Sequence, residues 1–132
     1  MSEDIFEQVK ALDLPIGRFA IFGSGPMAVR GLRASGDADL LVSKALFDEY
    51  AAKPGWQALS KDCGAEVLQC GAIEMIHQWR PGEWDNDRLI AEAEMIDGLP
   101  FVRLAEVIRW KEIYDREKDR RDIGLIKAYL DK

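Results

Sequence analysis

FAIFGSGPMAVRGLRASGDADLLVS, residues 19–43, is the stretch on which the reading of this chain turns. One apolar run ends in Gly23-Ser24, and a second opens with Asp37-Ala38-Asp39. Residues two apart on a strand point to one face, so Asp37 and Asp39 share one. Aspartate is depleted in strands and two carboxylates repel, so a pair at the mouth of an apolar strand calls for a cation. A hard divalent ion, Mg²⁺ or Mn²⁺, suits that role, because it takes oxygen ligands and is commonly held by one or two carboxylates plus substrate phosphates.

The segment before the acids fits the same chemistry. Gly23-Ser24-Gly25-Pro26 joins a strand to a helix expected near 26–33, whose first N–H groups are free for an anion. Pro26 suits the first helical position, the glycines allow close approach of a phosphate, and Ser24 adds a hydroxyl.

With Phe22-Gly23-Ser24 and Asp37-Ala38-Asp39 in hand, the chain resembles the nucleotidyltransferase superfamily typified by DNA polymerase beta, in particular its small bacterial members. The resemblance spans most of residues 19–130. It implies that the Gly23-Ser24 turn holds the β- and γ-phosphates of a nucleoside triphosphate and that Asp37 and Asp39 bind the metals. A third acid is implied on a later strand, where Glu74 in Ala72-Ile73-Glu74-Met75-Ile76 is the candidate and Glu66 the weaker alternative. The tail with Lys111 and Arg116-Glu117-Lys118-Asp119-Arg120-Arg121-Asp122 also looks like the helical end of such proteins.

Gly23-x-Gly25-x-x-Ala28 after a strand also satisfies a loose dinucleotide-binding fingerprint. There the two strands are parallel, and the ribose-binding acid closes the second one. Asp37 and Asp39 open theirs, so they reach the glycine turn only if the second strand runs antiparallel to the first.

With 132 residues, 48% hydrophobic and 32% charged, the chain can bury one core and little more. A single domain is expected, with an N-terminal helix over 1–14, an α/β core over 18–102 and C-terminal helices over 103–132. The expected class is α+β: a small mixed or antiparallel sheet with helices packed on one face, nucleotidyltransferase-like, closed by a C-terminal helical pair. No apolar run approaches the roughly 20 residues of a membrane span, and the acidic start lacks the basic and apolar regions of a signal peptide. The expected location is therefore the cytoplasm. Cys63, Cys70 and a lone His77 have no zinc-ligand spacing and read as structural. A net charge of −6 disfavours broad nucleic-acid binding.

Ile5, Phe6, Val9 and Leu12 recur at helical spacing before Pro15. Strands are expected at about 18–22 and 38–43, with Ser43 capping a helix to Ala52. Two short strands, 66–69 and 72–78, meet at Cys70-Gly71. Asp97-Gly98 signals a hairpin between 93–96 and 99–102, with a helix over 87–96 as the alternative. Amphipathic helices follow over 104–116 and 119–130.

Charges on apolar stripes need partners. Lys111 falls in register with Leu104, Val107, Ile108 and Tyr114, and Asp122 with Leu125, Ile126 and Tyr129. Lys111 either reaches a phosphate or pairs with Asp122, while Asp119 reads as a helix-terminal residue. Arg30 and Arg33 either bind phosphate or acceptor or form an exposed helix face. The four tryptophans read as core or interface.

The leading expectation is a metal-dependent transfer of a nucleoside monophosphate from an NTP to an acceptor hydroxyl on a small molecule, an RNA end or a protein. Asp37, Asp39 and Glu74 are the catalytic and metal-binding candidates, and Gly23, Ser24, Arg30 and Lys111 the nucleotide-binding ones. The alternative is a catalytically inactive domain of the same fold acting as a binding or regulatory partner, of toxin–antitoxin type. A homodimer or a partner chain could complete the core.

Overall fold

The computed structural model describes residues 4–132, so the first three residues of the expected N-terminal helix lie outside the described residues. The elements are α1 (Ile5–Ala11), β1 (Phe19–Phe22), α2 (Gly25–Ala28), β2 (Ala38–Val42), α3 (Lys44–Ala51), β3 (Gln57–Ser60), β4 (Glu66–Cys70) and β5 (Ile73–Ile76). They are followed by α4 (Asn86–Ala91), β6 (Glu94–Ile96), β7 (Leu99–Phe101), α5 (Leu104–Tyr114) and α6 (Glu117–Leu130).

Side chains at the termini set several of these boundaries. Asp4 accepts from the Phe6 amide at 2.7 Å to start α1, and Ser43 accepts from the Leu46 amide at 3.2 Å to start α3. α2 is shorter than expected because Gly31 takes a left-handed φ of 75° and the Leu32 amide donates back to the Met27 carbonyl at 3.0 Å. That closure ends a helix after one turn.

Among the described residues the strands form one mixed seven-stranded sheet in the order β3-β4-β5-β2-β1-β7-β6, giving an α+β fold. β1 and β2 are antiparallel with Phe22 opposite Asp39, so the acids of β2 lie beside the glycine turn and the parallel pairing of a dinucleotide-binding unit is absent. β5 runs parallel to β2 and sets Glu74 beside Asp39. Both readings of 87–96 are partly realised, since α4 comes first and the β6–β7 hairpin turns at Asp97-Gly98.

The helices do not lie on one face, and this corrects the expected layering. α1 and α3 pack on Phe19, Ile21, Leu40, Val42 and Met75, whereas α4, α5 and α6 cover Ala20, Phe22, Leu41, Val67 and Ile76. Every residue of β1 is buried, as expected for a strand covered on both sides. Phe22 is the hub of the second core: Trp79 stacks on it at 4.2 Å, and Trp84 and Trp110 meet it edge-on. No helix among the described residues is long and apolar enough to cross a membrane.

Candidate functional site

The sheet face carrying Phe22, Asp39 and Glu74 opens, beyond the aromatic core, into a cavity of about 310 Å³. Its floor is the β2–β5 pair with Asp39 and Glu74, and its walls come from Ser24, the β3–β4 turn, the segment after β5 and the junction of α5 with α6. The volume is within the range of small-molecule pockets.

Gly23 and Asp39 are fitted to each other. Gly23 has a left-handed φ of 64°, and a Cβ there would overlap the Asp39 carboxylate, lying 3.2 Å from its Cγ. The turn and the acid are thereby held together with no side chain between them. Ser24 Oγ and Ser35 Oγ are hydrogen-bonded at 2.8 Å, and Ser35 Oγ donates to the Asp37 carbonyl at 2.7 Å. A chain of hydroxyls thus ties the glycine turn to the start of β2.

Asp39 is the most perturbed acid of the cavity. Burial first, and then the adjacent Glu74 carboxylate, push its pKa up to about 7, against the opposing pull of Lys61. Two carboxyl groups side by side on neighbouring strands cannot both ionise cheaply. Glu74 is partly neutralised by Lys61, whose Nζ lies 2.8 Å from Glu74 Oε1. That contact in turn raises the pKa of the lysine. Asp37 is exposed at the rim.

These donors are all oxygen, which suits a hard divalent cation, and a positive charge between Asp39 and Glu74 would relieve the repulsion that raises Asp39. Asp39 and Glu74 are the residues that would hold it, with Asp37 contributing from the rim. As they stand, no three His, Cys, Asp or Glu side chains among the described residues converge tightly enough to hold a metal, and Lys61 takes Glu74 Oε1.

The other expected residues divide. Ser24 and Lys111 line the cavity, but Lys111 is 3% exposed and bonded to Asp122 Oδ2 at 2.9 Å, with Asp119 Oδ1 at 3.5 Å. The pairing expected from its helical register with Asp122 is present. Asp119 caps α6, accepting from the Arg116 amide and guanidinium. Burial works against that carboxylate, but the Arg116 bonds hold its pKa below the usual range. Arg33 also lines the cavity and reaches Asp122 Oδ2 at 2.6 Å.

Arg30 is a correction: it does not line the cavity, and its guanidinium is bound to the Pro26 carbonyl and the Glu94 carboxylate. α2 ends before Arg33, so the two arginines expected on one helix face diverge. Glu66 is exposed and outside the cavity.

Sequence reasoning missed Lys61 and Arg80. Lys61 opens the turn to Gly64 after β3, a strand whose four residues are all exposed and so carry no apolar pattern. Arg80 lies in the loop between Trp79 and Trp84, in no helical or strand period that would mark it.

No protein-family model, no curated protein and no solved structure matches this chain. The site is therefore read from its own chemistry.

Proposed function

We propose that this protein is a nucleotidyltransferase that uses Mg²⁺ or Mn²⁺ to move a nucleoside monophosphate from an NTP to an acceptor hydroxyl. The observation that carries the reading is the register of three strands: Phe22 opposite Asp39 on antiparallel β1 and β2, and Asp39 beside Glu74 on parallel β2 and β5. It brings the Gly23-Ser24 turn and two acids together from sites 50 residues apart in the chain, counted from Ser24 to Glu74.

In this reading the Gly23-Ser24 turn positions the β- and γ-phosphates by backbone N–H groups, joined by the Ser24 hydroxyl once it turns from Ser35. α2 is a single turn, so the contact rests on those donors and not on a helix dipole. Asp39, Glu74 and Asp37 would hold a divalent cation, which when bound would supply charge neutralisation at the triphosphate and a lowered pKa of the acceptor hydroxyl. The acceptor oxygen bonds to the α-phosphorus, the bond to the bridging oxygen of the β-phosphate breaks, and pyrophosphate leaves. Glu74 takes the hydroxyl proton. Most of the catalysis is positioning and electrostatic stabilisation. Incubation with α-labelled NTPs and small-molecule, RNA and protein acceptors tests it: label transfer lost in Asp39→Asn supports the reading, and transfer that survives the substitution contradicts it.

One observation favours a second reading, a non-catalytic domain that binds a partner. Lys61 already compensates Glu74 without a metal. A co-purifying partner with no label transfer from any NTP would favour it.

A further inference from the structure

Six cationic side chains line the cavity: Arg33, Lys61, Arg80, Lys111, Arg116 and Lys118. Four are committed to carboxylates of the protein. Arg33 and Lys111 bind Asp122, Arg116 binds Asp119, and Lys61 binds Glu74. Lys118 is exposed and solvated.

Arg80 is different. It is partly buried, yet no carboxylate among the described residues pairs with it. Its Nη1 donates to two carbonyls, Trp79 at 3.2 Å and Gly82 at 3.1 Å. Its own carbonyl accepts from Trp110 Nε1 at 3.2 Å. Carbonyls hold a guanidinium without cancelling its charge. A guanidinium has five N–H donors, so Nε and Nη2 remain for a ligand in a side chain already immobilised at both ends. Such a fork matches the geometry of phosphate oxygens.

We propose that Arg80 is a preorganised anchor for a phosphate group of the substrate that enters this cavity. The choice of phosphate rests on the nucleotidyltransferase reading, and that phosphate belongs either to the triphosphate or to the acceptor. Of the six cations on the wall, only Arg80 and Lys118 have no carboxylate partner among the described residues, and of these two only Arg80 is held in place.

Calorimetry with inorganic tripolyphosphate, free of divalent metal, and with orthophosphate added to protein saturated with Mg–NTP, separates the sources. Wild type is compared with Arg80→Met, with Arg80→Lys, and with Arg109→Met, which removes an exposed cation outside the cavity. Arg80→Met is expected to weaken one of the two titrations roughly tenfold or more, the loss of one charged hydrogen-bonding partner. Arg109→Met is expected to match wild type. Loss of tripolyphosphate binding assigns Arg80 to the nucleotide; loss of orthophosphate binding alone assigns it to the acceptor. If Arg80→Met does not fold, Arg80→Lys carries the comparison, because an ammonium cannot hold both carbonyls and still present a fork. Wild-type affinity for both anions in a folded Arg80 variant, or no binding of either by wild type, overturns the proposal. Arg80-dependent anion binding together with NTP binding that ignores Mg²⁺ would instead sink the metal reading and leave the anchor standing.

Discussion

The backbone of Gly23 packs directly against the carboxylate of Asp39, at a spot where any Cβ would overlap Oδ2. The turn that ends β1 and the acid on β2 are therefore one unit. Gly31 offers a contrast, with a left-handed φ of 75° but no atom within 4 Å of a Cβ. Gly31→Ala is expected to cost only the left-handed strain, about 1–2 kcal/mol, and to leave ligand binding unchanged. Gly23→Ala is expected to cost more and also to displace Asp39, and under the proposed function to abolish nucleotide binding. Urea unfolding and calorimetry on both variants check this.

Asp39 makes stability depend on pH in a defined direction. Its pKa rises from the ordinary 3.8 to about 7 in the folded chain, so between those values the folded protein holds a proton that the unfolded chain has lost. Stability from this group falls as pH rises through that window. Asp39→Asn is expected to be more stable than wild type at pH 8, by at most roughly 4 kcal/mol. The gain should shrink below pH 7 and vanish near pH 4. Calorimetric melting across pH 4–8 measures it, and a gain that grows on acidification would contradict it.

A metal at the proposed site would compete with Lys61 for Glu74. The lysine is 46% exposed on its side-chain surface but Glu74 only 13%, so Lys61→Met leaves a largely buried carboxylate unpaired and is expected to cost about 1–3 kcal/mol. Mn²⁺ binding, read by paramagnetic resonance, is expected to tighten several-fold, because no ammonium need be displaced.

Lys111 neutralises two buried carboxylates at the α5–α6 junction. Lys111→Met leaves Asp122 with Arg33 and Asp119 with Arg116, and is expected to cost about 3 kcal/mol, the lower end for breaking a buried charge pair. Denaturant midpoints give the value.

What could be read from the sequence depended on how local the cause was. The antiparallel β1–β2 pairing followed from Asp37 and Asp39 opening their strand, and the Ser43 cap and the Lys111–Asp122 pair followed from local chemistry and helical period. β3 was invisible because Gln57–Ser60 is exposed throughout, so neither alternation nor an apolar run marks it. Helices on both faces follow from β1 and β2, where Ala20, Phe22 and Leu41 face one core and Phe19, Ile21, Leu40 and Val42 the other. Arg30 was misread because its partner, Glu94, lies 64 residues away on β6. The Lys61–Glu74 pair depends on the turn between β3 and β4, hidden with β3.

The central claim, a metal-nucleotide site built on Asp39 beside the Gly23-Ser24 turn, is tested most directly by calorimetric titration of the protein with each of the four NTPs, with and without Mg²⁺, alongside Asp39→Asn. The account requires binding of at least one NTP that needs both Mg²⁺ and the Asp39 carboxylate. NTP binding that survives removal of either, or no binding of any NTP by the folded wild-type protein, would contradict it.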